Sequence, residues 1–212
     1  VKGLEQYSDA PDFRYYGPHI LFYITDYEVD GKKHQVLSSP KDLYAWYYDL
    51  QKNVNKTEDK HLKKITDSLV DGTTDELEKV KKIFYWVQDN VSYIAFEDGL
   101  GGFIPRDAGL VCSRKFGDCK ELRNYCGSLF KKAGIKEYPW IIYGGNGFRE
   151  LYEDFPKDYF NHVVACVPNE KDTTWLECTS QTESAGYSGS FTGNRKALLI
   201  TDDGGKLVNT PN

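Results

Sequence analysis

Gly134 divides this chain by the period of its apolar residues, and that change constrains the fold more than any other feature. Before it, Leu43, Trp46, Tyr47 and Leu50, then Leu62, Ile65 and Leu69, then Leu77, Val80, Phe84, Val87 and Val91 recur at helical spacing. Thr73, Thr74 and Asp75 can cap the third of these helices. After Gly134, the runs YPWIIYG, FNHVVACVP, TTWLECTSQ and KALLITD are short, rich in β-branched and aromatic residues, and separated by glycine, asparagine and charged turns. A helical half followed by an antiparallel sheet is an α+β architecture.

Two stretches lie outside this pattern. HILFYITDYEV at 19–29, the turn Asp30–Gly31 and KKHQVL predict a hairpin ahead of the first helix. The expected division is a β-rich segment over residues 1–40 and a core over 41–212. GLGGF at 99–103 is a loop that could rim a cleft, as is YGGNGF, and the chain from there to Arg114 is expected to be irregular. Neither glycine run is a P-loop or dinucleotide fingerprint.

A chain of 212 residues that is 40% hydrophobic can bury one such core. Its 27 basic and 32 acidic residues are interspersed, for a net charge of -5, so no broad basic face is available to nucleic acid. No apolar run approaches the roughly 20 residues of a membrane span. The chain starts at Val1 without a targeting segment, which reads as a fragment or a mature form. Five cysteines, an odd number with no CxxC pair and in apolar surroundings, do not suggest a disulfide framework.

One of those cysteines stands apart. In FGDCKEL, Asp118 precedes a helical stripe of Cys119, Leu122, Cys126, Leu129 and Ala133, and Glu121 completes a capping box with it. Cys119 is then the first helical residue, where unpaired N–H groups and the helix dipole favour an anion. The same atoms would serve a thiolate and an oxyanion. A packed thiol is the plain alternative, and it is the expected reading of Cys112, Cys126, Cys166 and Cys178.

A cysteine nucleophile needs a base, and the base needs a group to orient it. His19, His34 and His61 fall in charged or amino-terminal segments, whereas His162 lies inside an apolar strand and requires a polar partner. If the turn between FNHVVACVP and TTWLECTSQ is centred between Asn169 and Glu170, His162 pairs directly with Glu177 on one sheet face. A slip of one residue would separate them. Cys119, His162 and Glu177 then form the nucleophile, base and acid of a papain-type site.

From about Leu77 to Val208 the chain resembles the bacterial transglutaminase-like domains of the papain-like cysteine enzyme superfamily. The resemblance lies in Gly117-Asp118-Cys119-Lys120, in Asn161-His162, and in Trp175-Leu176-Glu177-Cys178-Thr179. It implies a papain-like core with the nucleophile helix packed on the sheet, and a Cys119–His162–Glu177 triad acting on peptide or protein amides. Hydrolysis is the first expectation and amine transfer the second. It also implies further domains in the same polypeptide and a secreted, periplasmic or cell-envelope setting. No cofactor or metal is implied. The family more often has Asp followed by Pro where this chain has Glu177-Cys178. Gln88, Trp86 and Tyr93 are of the right type and order for a second oxyanion donor, and the sequence does not choose among them. A catalytically silent binding scaffold is the rival reading, and a metal site of Cys119, His162 and Cys166 or Cys178 is a third without the usual ligand spacing.

Overall fold

The structure, a computed structural model, describes residues 17–20, 22–36, 38–145, 151, 160–169 and 172–211. The first sixteen residues of the amino-terminal segment, residues 146–148 of the second glycine run and the expected turn residue Glu170 lie outside them. Helices α1 (Pro40–Gln51), α2 (Lys60–Val70) and α3 (Glu76–Asn90) form where the periodicity places them. Ser39, Asp59 and Asp75 each cap one of them by accepting backbone N–H bonds. Leu77 is an exception on the third stripe and is exposed.

The hairpin of β1 (Asp26–Val29) and β2 (Lys32–Gln35) is shorter than the apolar run suggested and makes its own two-stranded sheet. Asp30 and Gly31 both take positive φ, 51° and 71°, as a two-residue hairpin turn requires. Ile20, Phe22 and Ile24, expected in its first strand, precede the strand and are exposed.

Beyond α3, β3 (Ser92–Tyr93) is followed by a 3-10 turn at Gly99–Gly102 and by α4 (Ala108–Arg114). The expected irregular connection is therefore partly helical. Ala108, Val111 and Cys112 bury one face of α4, and only seven residues carry that pattern, too few to read as a helix in sequence. Lys115 ends α4 in the left-handed conformation, φ 63°, and the chain pairs β4 (Phe116–Gly117) parallel to β3 before entering α5 (Cys119–Lys132). Gly134, φ 77°, follows the end of α5 in the position glycine favours.

The carboxy-terminal half is an antiparallel sheet of β5 (Tyr138–Ile142), β6 (His162–Pro168), β7 (Thr173–Leu176), β8 (Lys196–Thr201) and β9 (Gly204–Asn209), in the order β7-β6-β5-β8-β9. A short α6 (Gly189–Thr192) lies between β7 and β8. This is the expected α+β class. β9 was not anticipated, because GGKLVN opens with two glycines and has only two large apolar residues.

Alternate residues of β6 enter different clusters, as the two-residue strand period demands. Ala165 and Val167 join Leu122, Tyr125, Cys126 and Leu129 of α5 and Phe84 of α3 in the main core, whereas Val164 and Cys166 join Trp140 and Trp175. A third cluster packs Leu43 and Tyr47 of α1 against Ile141 and Leu198 of the sheet. Helix α5 thus packs on β6, and α1 on β5 and β8.

Candidate active site

The first turn of α5 is built as the sequence suggested. Asp118 accepts the Glu121 N–H at 3.2 Å, and Glu121 Oε2 accepts the Asp118 N–H at 3.1 Å. Glu121 also pairs with Arg106 at 2.9 Å, and Asp118 pairs with Lys120. Both carboxylates are buried, and burial raises the pKa of Asp118 against the pull of Lys120. Gly117 has to be glycine for steric reasons: a Cβ there would lie 2.8 Å from Glu121 Cβ. The G-D-C-K-E run thus describes one object, a helix start with its anionic cap locked from both sides. Cys119 occupies its first position with 6% of its surface exposed.

The hairpin register differs from the expectation by two residues. Pro168 pairs with Thr173 and Ala165 with Leu176, so each β6 residue meets a partner two positions later than expected. Continued one step, this ladder puts Val164 opposite Glu177, so His162 and Glu177 are diagonal rather than directly opposed. A two-residue shift keeps both side chains on the same face, which a one-residue shift would not. Glutamate spans the diagonal, and His162 Nε2 meets Glu177 Oε2 at 2.8 Å. The second carboxylate oxygen, Oε1, accepts the Thr179 N–H at 3.1 Å and its hydroxyl at 2.6 Å.

With Nε2 committed to Glu177, Nδ1 is the ring nitrogen left for the Cys119 thiol, which lines the same pocket as the imidazole. Burial by itself would lower the pKa of His162. The influence of Cys119 and Glu177 outweighs it and pushes the value up to about 10. Burial would raise Glu177, but the bonds to His162 and Thr179 hold its carboxyl below the usual range. The Glu177 carboxylate beside the ring thus favours its protonated form.

Other neighbours define the surroundings. The ring of Phe191 stands edge-on to His162 with centroids 5.1 Å apart, covering the histidine from the side of α6. Asn161 ties the start of β6 to Gly144, accepting its N–H at 2.7 Å and donating to its carbonyl at 3.0 Å. Thr179 was visible in the sequence motif, but Phe191 carried no local signal. Gln88, considered as an oxyanion donor, gives its amide to Ser180 O at 2.8 Å and Glu183 O at 2.9 Å and so braces the chain after Glu177. Trp86 packs on Tyr125 and on Lys115. Tyr93 lies beside the site: burial raises its pKa, with the charge of Cys119 adding to it.

Cys119 and His162 open on a pocket of about 330 Å³ whose other walls include Trp46, Tyr47, Phe103 and Phe160. Gly99 and Gly102 of the first glycine run line it too. The other four cysteines are buried and, like Cys119, unpaired. Burial pushes Cys166 up to about 12, and a bond to Cys126 together with burial raises Cys178 further from ionisation.

No protein-family model and no curated protein matches this sequence. Among solved structures, a proposed protease from Parabacteroides distasonis superposes over 92% of this chain with a TM-score of 0.61 at 17% identity. The chain spans 36% of that protein's length. A proposed cysteine protease from Cytophaga hutchinsonii matches 70% of this chain and 48% of its own, with a TM-score of 0.43 at 14% identity. A TGase matches 68% of this chain and 39% of its own, with a TM-score of 0.40 at 18% identity. The first of these likenesses shows the fold.

Proposed function

We propose that this chain is a transglutaminase-like cysteine enzyme that cleaves amide bonds of peptides or proteins through a thioester on Cys119. The carrying observation is that His162, bonded to the Glu177 carboxylate at 2.8 Å, lines the same open pocket as Cys119 at the start of α5. The fold shared with a proposed protease supports the reading, as does the resemblance carried by Gly117–Lys120, Asn161-His162 and Trp175–Thr179. The packing of α5 on β6 is the papain-like half-and-half arrangement in this reading.

In the first step the Cys119 thiolate attacks the substrate carbonyl carbon, and the developing oxyanion lies near the N–H groups at the start of α5. His162 gives its proton to the leaving nitrogen as the C–N bond breaks, leaving a thioester and a free amine. Water then attacks the thioester carbonyl, losing its proton to His162, and the C–S bond breaks to return the thiolate. An amine in place of water would complete a transfer by the same path. Glu177 acts through His162, holding the ring in one orientation and stabilising its charged form. Residues 1–40 are the end of a preceding β-rich domain in this scheme, and the setting is extracytoplasmic.

The test is thiol alkylation with iodoacetamide at neutral pH, followed by peptide mass mapping. Cys119 is expected to react at least about tenfold faster than the other four thiols, and His162→Ala to remove most of that advantage. Even labelling of all five, or a Cys119 rate indifferent to His162→Ala, would leave the fold as a binding scaffold.

A further inference from the structure

The pocket beside Cys119 carries more information than its position. Its apolar walls come from Trp46 and Tyr47 of α1, Phe103, Ile141, Phe160 and Val163. Two charged side chains line it, Glu97 and Lys120. Lys120 is buried and already neutralised by Asp118. Glu97 is exposed, lies on the chain between β3 and the Gly99–Gly102 turn, and is in no ion pair among the described residues. The thiol and imidazole bring opposite charges when ionised together. The lining as a whole is therefore aromatic with one uncompensated negative charge.

That combination suits a ligand with an aliphatic stem and a cationic head. The stem is covered by aromatic and aliphatic walls, and the head gains from a carboxylate and from ring faces. The walls are held in place: Trp46 meets Phe103 edge-on with centroids 5.4 Å apart, and Gln51 of α1 donates to the Phe103 carbonyl at 3.1 Å. A volume of about 330 Å³ lies at the small end of ligand pockets and suits one long side chain rather than several residues. The leaving nitrogen has to lie at His162, which leaves the walls from α1 and the Gly99–Phe103 segment to the acyl residue.

We propose that this pocket receives a lysine or arginine side chain on the residue whose carbonyl Cys119 attacks, with Glu97 reading its charge. The proposal rests on the catalytic reading above, and its test separates the two. N-acetyl dipeptidyl chloromethyl ketones ending in lysine, norleucine or glutamate differ at one side chain, and their labelling of Cys119 is followed by intact mass. The lysyl probe is expected to label about tenfold faster than the norleucyl probe, whose side chain lacks only the ammonium group. Glu97→Gln brings that ratio close to unity, and Glu97→Lys reverses the order of lysyl and glutamyl probes. Using ratios within each variant cancels any change in thiol reactivity.

Binding of the matching peptide amides to Cys119→Ala, measured by calorimetry, gives the same comparison without chemistry. A lysyl preference there, with a thiol that no probe labels, sinks the catalytic reading and leaves the subsite. Labelling at equal lysyl and norleucyl rates, or a ratio unmoved by Glu97→Gln, overturns the subsite and leaves catalysis. Neither labelling nor preference overturns both.

Discussion

At the scale of single residues, the length of the Glu177 side chain matches its place in the hairpin. Glu177 sits diagonal to His162, and the extra methylene carries the carboxylate across while Thr179 holds its other oxygen. The pKa directions translate into a pH window for stability. His162 is raised from 6.5 to about 10, so its contribution is fully present below pH 6.5 and is lost as pH rises through about 10. Glu177 is lowered from 4.5, so its contribution is present above pH 4.5 and is lost as pH falls through the depressed value. Glu177→Gln should therefore lower the melting temperature most between pH 4.5 and 6.5, with the deficit shrinking toward pH 10. Imidazole NMR titration should show His162 in that variant moving down from about 10 toward 6.5. A melting deficit that grows with pH above 6.5 would contradict the charged pair.

At the scale of elements, α5 depends on a cap that is also half of a buried ion pair. Asp118→Ala removes the cap, worth about 1 kcal/mol, and leaves Lys120 buried without a counter-charge, worth about 3–5 kcal/mol more. The double variant Asp118→Ala/Lys120→Met should recover most of the second part but not the first. Denaturant unfolding of the wild type, Asp118→Ala, Lys120→Met and the double variant measures this directly, and additive losses would show that the pair is not coupled. The capping box was legible in sequence because all its atoms lie within four residues. The hairpin register was legible only in parity. The alternation of β6 and β7 places His162 and Glu177 on one face, but the length of the turn sets the offset, and polar turn residues accommodate several lengths. Helix α4 and strand β9 escaped for a related reason: seven residues of α4 and two large apolar residues of β9 acquire their conformation from the surfaces they pack on.

For the whole molecule, the described residues divide into a tightly packed body and an appended hairpin. The core joins α2, α3, α4 and α5 to β6 and β7, whereas β1 and β2 pair with each other and are mostly exposed. Backbone amides of α3, α5, β5 and β6 should therefore exchange slowest with deuterium, and those of β1 and β2 fastest. Protection of the hairpin equal to that of β6 would mean that it docks on a further surface. Among the described residues no helix is long and apolar enough to cross a membrane.

What the sequence determined by itself is whatever depends on neighbours along the chain: three amphipathic helices, a capped helix start with Cys119 at its first position, and strands alternating after Gly134. These follow from backbone geometry and short-range hydrogen bonding. Tertiary structure alone decided the two-residue offset that makes a glutamate fit and the ring of Phe191 against His162. It also placed Glu97, Trp46 and Phe103 on the pocket that Cys119 lines. Those contacts join segments tens of residues apart, and their geometry is set by how helices and sheet pack, which no local pattern encodes.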